Sequence, residues 1–429
     1  MNQCQETGQT EDQEEVTELV CQEADLKDGQ MKEVTVGEQK VLLVRTQGQY
    51  SAVGSKCSHY SAPLIKGVVV GTRVRCPFHG ACFNVRTGDI EDYPGLDSLP
   101  YTVTSGPASL VCAEILRQNC YQGRIVIITK DSLPPFDKPK LSKALNVDSI
   151  SILLRSDDFY QQYGIEVWTQ KEVVSVNPAN KEVKMSDGTL QRYDQLLIST
   201  GCRARPLTCP GSDLKGVKLL ETYKDMLEEK NVKFHMSDQV AEIRGKNGKV
   251  KEVVLKSGAV LEADVVIAGI GVIPNSDLLA GSGVEVDSRK AVIVDKFMRT
   301  NIPDVFAAGD VTSFPLTIRG DQMVNIAHWQ MSQAHGKVAA LNMLKKSTKI
   351  ESVPFFWTVL LGKSFRYTGY GEGYTEIIFK GKVEERKFLA FYIKDDVVVA
   401  AASLMFDPAV SHIAELMANG QILTKAQAQ

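Results

Sequence analysis

The chain has 429 residues, and at roughly 100 to 200 residues per domain this length suggests about two to four domains. Apolar residues make up 43% of it, and the net charge is −3 with an isoelectric point near 6.1. Because nucleic-acid binding depends on a basic surface, this balance argues against a nucleic-acid partner. No run approaches the roughly 18 apolar residues of a membrane helix, so no membrane span is expected.

The N-terminus is acidic. The first 26 residues carry eight acidic side chains and no Lys or Arg. This is the wrong charge for a mitochondrial transit peptide, and Asn2 stands where N-myristoylation requires Gly. We therefore expect residues 1–15 to form an acidic disordered tail. Nine scattered cysteines without a secretory signal indicate a reducing compartment.

Residues 16–103 consist of short apolar runs separated by glycine-containing turns, a spacing typical of a small antiparallel β domain. The predicted strands are 34–36, 41–44, 50–53, 68–70 and 73–76, with one further candidate at 99–103.

Two short arms of this region each pair one Cys with one His: Cys57 with His59, and Cys76 with His79. A [2Fe–2S] cluster held by two thiolates on one iron and two imidazoles on the other needs this donor set. Zinc is the weaker alternative, at about one in ten, because structural zinc sites usually group Cys with Cys and His with His. Exposed loop tips would keep both imidazoles near solvent, where they could exchange electrons with a partner.

The two arms resemble the ligand loops of the Rieske family, and the resemblance implies that the same four side chains are the metal ligands. High-potential members carry an additional Cys in each arm, joined as a disulfide, whereas this chain has Ala62 and Phe78 at those places. It therefore resembles the ferredoxin-like and oxygenase-type members, toward the low end of a range of about −150 to +300 mV. Cys82 has no counterpart in the first arm and is expected to be a small buried residue.

From residue 104 onward, helical and strand patterns alternate, which predicts an α/β sheet followed by a strand-rich C-terminal part. The predicted helices are 110–118, 159–164, 328–344 and 408–419. The predicted strands are 124–129, 165–168, 181–185, 190–193, 195–199, 263–268, 305–308, 377–380, 388–393 and 397–402.

Four motifs in this region occur in order: residues 134–143, Thr200-Gly201 with Arg205, the run Gly269–Asn275, and residues 307–310. Together they resemble flavoprotein reductases of the apoptosis-inducing-factor and ferredoxin-reductase kind. A Rieske domain ahead of such a reductase resembles one branch, the apoptosis-inducing-factor-like proteins with an N-terminal Rieske domain. The resemblance implies a multidomain fold: an antiparallel β Rieske domain (16–103), an α/β FAD/NAD(P)-type reductase region (104–350) and an α+β C-terminal interface domain (351–429) that allows a homodimer.

The resemblance also implies roles for single residues. Asp310 would hold the ribityl chain of FAD, and Lys143 would be the catalytic cation beside the flavin ring. For Asp310 a surface turn is the alternative at about one in four, and for Lys143 a solvated charge at about one in three. The other cofactor contacts implied are Ser105, Gly106, Pro107, Ala108, Thr200, Gly201, Arg205, Gly269, Gly271 and Trp329.

The chain departs from this family at both dinucleotide sites, because it contains no intact G-x-G-x-x-G. Residues 104–109 retain Gly106 but have Thr104 and Ser109 at the outer glycine positions. The strand that should precede them coincides with the last Rieske strand, 101–103. Between residues 211 and 240 there is room for one helix where a βαβ unit of roughly 30 residues should hold NAD(P)H. Both units are therefore incomplete, as if two internal segments had been excised.

These observations predict an NAD(P)H-dependent flavoprotein oxidoreductase that passes electrons through FAD and a [2Fe–2S] cluster to a small-molecule or protein acceptor. The alternative is a non-enzymatic redox or apoptosis-related interaction protein that keeps the cluster without a working reductase. The chain contains no C-x-x-C and no G-x-S-x-G, so neither a redox-active disulfide nor a hydrolase is indicated. The family suggests the mitochondrion or the cytoplasm.

Overall fold

The computed structural model describes residues 25–36, 39–58, 61–92, 107–137, 140, 148–206, 208–210, 217–218, 233, 235 and 237–429. Five expectations concern residues outside these ranges: the acidic tail, His59, the strand at 99–103, the loop residues Ser105 and Gly106, and Lys143. The helix expected near 221–230 lies outside them as well. Within the described ranges, no helix has the length and apolar character needed to cross a membrane.

The helices within the described ranges are α1 (Pro107–Gln118), α2 (Asp157–Gln162), α3 (Trp329–Met343), α4 (Ala409–Ala418) and α5 (Lys425–Ala428). The first group of strands is β1 (Met31–Val36), β2 (Gln39–Thr46), β3 (Gln49–Gly54), β4 (Val68–Val70), β5 (Arg73–Arg75), β6 (Cys82–Asn84) and β7 (Ile90–Asp92). The second group is β8 (Ile125–Ile128), β9 (Ile165–Trp168), β10 (Val173–Asn177), β11 (Glu182–Met185), β12 (Leu190–Arg192), β13 (Leu196–Ile198), β14 (Cys202–Ala204), β15 (Val217–Lys218), β16 (Val240–Lys246), β17 (Lys249–Leu255), β18 (Val260–Glu262), β19 (Val266–Ile267), β20 (Val272–Pro274), β21 (Val292–Ile293), β22 (Val305–Ala307), β23 (Thr312–Leu316) and β24 (Gln322–Val324). The third group is β25 (Phe355–Leu360), β26 (Lys363–Gly369), β27 (Glu376–Lys382), β28 (Lys387–Lys394) and β29 (Val397–Leu404).

The N-terminal part contains two antiparallel sheets, β1-β2-β3 and β4-β5-β6-β7. Strand β2 buries every second side chain, namely Leu42, Val44 and Thr46, because alternate residues of a strand point to one face. The antiparallel β domain expected from the sequence is therefore confirmed.

The middle part contains the parallel pairs expected of an α/β region. Strand β8 runs parallel to β9, and β13 runs parallel to β22. The predicted hairpin joins β11 to β12 through Asp187-Gly188, where Gly188 has a φ of +87°. Several strands of this part were not predicted, among them the antiparallel sheet β16-β17-β18 and strand β15, which pairs in parallel with β19 inside the predicted strand 263–268.

The C-terminal part is a five-stranded antiparallel sheet in the order β25-β26-β29-β28-β27, and α4 packs on it. This confirms the α+β class, although β25 and β26 were not among the predicted strands.

One continuous apolar core joins the N-terminal β domain to the reductase region. It contains Val74 and Phe83 of the β domain together with Phe314 and Met331 of the reductase region, all of them fully buried. The N-terminal β domain and the reductase region are therefore packed against each other, and this shared core includes Cys57 and Cys76 of the two ligand arms.

Candidate functional site

The first ligand arm is a tight loop closed by backbone hydrogen bonds. The Cys57 N–H donates to the carbonyl of Ala62 at 2.8 Å, and the Ser61 N–H donates to the carbonyl of Cys57 at 2.8 Å. Ser61 adopts a left-handed conformation with a φ of +52°, which turns the chain back toward the cysteine. His59 lies inside this loop but outside the described residues, so its role stays a prediction.

The second ligand arm repeats this geometry. The Cys76 N–H donates to the carbonyl of Ala81 at 2.7 Å, and the Gly80 N–H donates to the carbonyl of Cys76 at 3.1 Å. Gly80 is also left-handed, with a φ of +79°. Both loops thus bond their Cys to the residues four and five positions later, in the same directions. The two cysteines therefore have the same backbone hydrogen-bond pattern. A cluster held between the two loops by one thiolate from each needs such a matched pair.

The two thiols are almost fully buried, with exposed fractions of 1% for Cys57 and 0% for Cys76. A hydrogen bond with the Cys57 thiol lowers the pKa of Cys76; burial opposes this, while the Phe78 and His79 N–H groups add to it. The thiolate is the form that binds iron, so these donors fit a [2Fe–2S] centre. No group of three or more His, Cys, Asp or Glu side chains that could hold a metal ion occurs within the described ranges, which omit His59.

The half-buried His79 contacts an aromatic side chain of the C-terminal domain. Its ring centroid lies 5.1 Å from that of Trp357, and the Trp357 ring lies 5.1 Å from that of His328. Burial lowers the pKa of His328 to about 4, so this side chain is neutral near pH 7. Strand β25 places Trp357 against one side of the half-buried His79, and the expectation that the loop tip keeps this imidazole near solvent stays a prediction.

Two of the sequence motifs meet at one sheet edge. Strands β13 and β22 run parallel and in register, so their carboxyl ends bring Thr200-Gly201 and Asp310 to the same edge. The Cys202 thiol, just beyond the first motif, donates to the Asp310 carbonyl at 3.2 Å.

Asp310 stands beside the start of α1. Its carboxylate accepts a hydrogen bond from the Ser332 hydroxyl at 2.8 Å. At Gly309, a Cβ atom would lie 3.3 Å from the Cβ of Ala108, so only glycine fits easily between the two elements. A dinucleotide with its pyrophosphate at a helix N-terminus and its sugar chain on the carboxylate needs this juxtaposition of Asp310 with Pro107 and Ala108. The residues present therefore fit FAD, while these contacts remain predictions.

The remaining reductase motifs form a crossed antiparallel pair, β14 with β20. The Thr200 hydroxyl donates to the carbonyl of Asn275 at 2.7 Å, and the Arg205 N–H donates to the carbonyl of Gly271 at 2.9 Å. Gly269 is exposed and precedes the pair. Trp329 is half-buried at the first position of α3.

His335 is a buried residue that the sequence analysis missed. Its Nδ1 accepts a hydrogen bond from the Gly309 N–H at 3.2 Å, which positions the turn carrying Asp310. Burial lowers the pKa of His335 to about 3, so the ring is neutral. The sequence contained one indication of this position. His335 lies three residues beyond Ser332 in the predicted helix, and residues with this spacing lie on the same helix face.

Three family models match successive parts of the chain. The Rieske [2Fe-2S] domain matches residues 17–104, pyridine nucleotide-disulphide oxidoreductase matches residues 103–226 and 216–336, and the reductase C-terminal domain matches residues 355–429.

Curated relatives span the same arrangement. Apoptosis-inducing factor 3 of Homo sapiens is 39% identical over 96% of this chain and 86% of its own length. That alignment extends over 519 positions, whereas this chain has 429 residues, so at least 90 positions of the relative have no counterpart here. Rubredoxin-NAD(+) reductase of Pseudomonas putida is 26% identical over 64% of this chain and 88% of its own length.

Solved reductases share the fold. A ferredoxin reductase from Rhodopseudomonas palustris has a TM-score of 0.68 and 22% identity, covering 75% of this chain and 94% of its own. The covalent putidaredoxin reductase-putidaredoxin complex has a TM-score of 0.70 and 22% identity, covering 76% and 94%. With its Rieske domain, reductase region and reductase C-terminal domain in this order, the chain belongs to the apoptosis-inducing factor 3 branch of the pyridine nucleotide-disulphide oxidoreductases acting on NAD(P)H.

Proposed function

We propose that this chain takes electrons from NAD(P)H through FAD to its own [2Fe–2S] cluster and passes them to a small-molecule or protein acceptor. The observation that carries the proposal is the ring sequence His328, Trp357, His79. It links the start of α3 to the second ligand arm of the cluster through centroid distances of 5.1 Å. Because α3 also carries Ser332, which donates to Asp310, the same helix contacts the proposed FAD site directly and the second ligand arm through Trp357.

Each group of residues has its own part in this path. Cys57 and Cys76, with His59 and His79, would hold the cluster, and Asp310 with the start of α1 would hold FAD. When bound, FAD accepts the two electrons of a hydride and can release them singly, as a one-electron cluster requires. The half-buried Trp357 would lie between the two sites, with the His79 ring and the His328 ring each at a centroid distance of 5.1 Å.

The relatives support the acceptor class. The covalent putidaredoxin reductase-putidaredoxin complex pairs a reductase with putidaredoxin as its partner. This chain carries its Rieske domain covalently, so we place the external acceptor after the cluster. We further propose a mitochondrial or cytoplasmic location and, through the C-terminal sheet, a homodimer.

The proposal is tested by purifying the protein anaerobically and measuring iron, sulfide and flavin together. NAD(P)H should bleach the flavin absorbance, and the electron-spin signal of a reduced Rieske centre should follow. Trp357→Leu should slow the second event at least tenfold and leave the first unchanged.

The matched control is Trp168→Leu. Trp168 contacts Arg124 and is not one of the three rings of the proposed path, so its replacement should affect neither event. A preparation that contains cluster without flavin, and that NAD(P)H does not bleach, would defeat the enzyme proposal and favour the non-enzymatic alternative. That alternative draws its support from the incomplete dinucleotide units.

A further inference from the structure

The second ligand arm is held from outside the Rieske domain. The Cys76 carbonyl accepts a hydrogen bond from the Ser411 hydroxyl at 3.3 Å, and the Pro77 carbonyl accepts one from Arg366 Nε at 3.2 Å. Ser411 lies on α4 and Arg366 on β26, so both donors belong to the C-terminal domain. Two main-chain carbonyls of one ligand loop are thus fixed by another domain.

A buried charge network lies directly behind this arm. Arg75, immediately before Cys76, is fully buried and donates through Nη1 to the Gly80 carbonyl at 2.7 Å. Its Nη2 lies 3.2 Å from the Asp92 carboxylate, and its Nε donates to the fully buried Glu415 of α4. A buried guanidinium is stable only when paired, and Glu415 of the C-terminal domain supplies one of the two carboxylates that pair with Arg75, the other being Asp92 of the Rieske domain.

Helix α3 closes the same network. The side-chain amide of Gln330 donates to the Asp92 carboxylate at 3.1 Å and to the Val353 carbonyl at 3.1 Å. Its amide oxygen accepts from the Phe355 N–H at 3.3 Å. One side chain therefore joins the Rieske domain, the reductase helix and the first residue of β25, two positions before Trp357.

The contact also has an apolar part. The Phe355 ring is fully buried against Gly80, where a Cβ atom would lie only 2.4 Å from the ring. Apolar burial supplies the attraction between the domains, and the charge network selects one orientation among those that bury similar area.

From these contacts we propose that the C-terminal domain is a built-in part of the cluster site and keeps the Rieske domain docked in both redox states. Arg366 and Glu415 are the positioning residues, and they act through the loop that carries His79. The inference rests on the proposed function in that the docked position sets His79 against Trp357. The proposal predicts that the cluster receives its electron from the flavin of the same chain. It also predicts that the Rieske domain does not move between partners as a tethered carrier.

The experiment measures amide hydrogen exchange in the full chain with the cluster oxidised, and again after chemical reduction with dithionite, which needs no flavin. Peptides spanning residues 73–85, 355–369 and 409–418 report the contact. Fixed docking predicts the same protection in both states. A tenfold or greater loss of protection in all three peptides on reduction would overturn the proposal, and this comparison requires no variant to fold.

Two variants test the positioning residues without changing the Rieske sequence. Glu415→Gln and Arg366→Met should each accelerate exchange in the 73–85 peptide at least tenfold and shift the g-values of the reduced cluster. The matched control is Glu166→Gln, because Glu166 pairs with Arg124 on an exposed surface. Exchange and g-values in both variants equal to those of the control would refute the assigned roles. Absence of flavin or of NAD(P)H oxidation would refute the proposed function and leave these readouts intact.

Discussion

Gly80→Ala probes the contact between the cluster loop and the C-terminal domain. Gly80 has a φ of +79°, and an added Cβ would lie 2.4 Å from Cγ and 2.5 Å from Cδ1 of the Phe355 ring. The left-handed backbone costs a non-glycine residue about 1 to 2 kcal/mol. Overpacking against a fully buried ring adds about 1 to 3 kcal/mol. We therefore expect the docked state to lose about 2 to 5 kcal/mol.

A matched glycine separates the two effects. Gly71 is also left-handed, with a φ of +58°, and has no atom within 4 Å of its added Cβ. Gly71→Ala should therefore cost only the backbone contribution, about 1 to 2 kcal/mol. The assay is native-state hydrogen exchange, which gives opening free energies for peptides of the contact without requiring a reversible global transition.

The double-mutant cycle with Phe355→Ala identifies the partner. Removing the ring opens space for the new methyl group, so Gly80→Ala should cost no more than about 1 to 2 kcal/mol in that background. Equal costs for Gly80→Ala and Gly71→Ala, or no relief from Phe355→Ala, would refute the packing argument.

Three further outcomes are expected. Cys76→Ser should abolish the low-g electron-spin signal of the reduced cluster while Cys82→Ser retains it; a persistent signal in the first variant would contradict the ligand assignment. Asp310→Ala should reduce bound flavin at least tenfold, measured as flavin absorbance per chain, and undiminished flavin would remove Asp310 from the site. Burial lowers the pKa of His335 to about 3, whereas an unfolded His titrates near about 6.5, so the unfolded state binds more protons between these values. The unfolding free energy should therefore fall by up to about 1.4 kcal/mol per unit as the pH drops below about 6.5, and His335→Gln should remove this part of the slope in exchange experiments.

The sequence predicted features that depend on neighbours along the chain. The alternation in β2, the Asp187-Gly188 hairpin and α1 all follow from local periodicity and turn chemistry, and the structure contains each of them. The three-stranded sheet β16-β17-β18 escaped prediction because charged residues such as Glu242 and Arg244 interrupt its apolar pattern.

The contacts that define the candidate site depend on residues far apart in the chain. Arg75 and Glu415 are 340 positions apart, and either side chain read alone predicts an exposed charge. The run 355–360 is rich in aromatic and β-branched residues typical of a strand, and the sequence analysis missed it; the contact of Trp357 with His79 has no local pattern that could predict it. Pairing of distant charges and rings has no local signature in one sequence.

The proposed electron path and the incomplete nicotinamide region involve different residues. The path runs from Asp310 and Ser332 through His328 and Trp357 to His79, and all five lie within the described ranges. The positions of apoptosis-inducing factor 3 without a counterpart here number at least 90, and the sequence predicts a shortened segment between residues 211 and 240, a range that contains none of these five residues. We therefore expect loss of nicotinamide binding to leave the transfer from flavin to cluster intact, because the contacts named for this transfer join residues outside 211–240. The two steps are physically separable, so a chain that fails to oxidise NAD(P)H could still pass electrons from a chemically reduced flavin to the cluster.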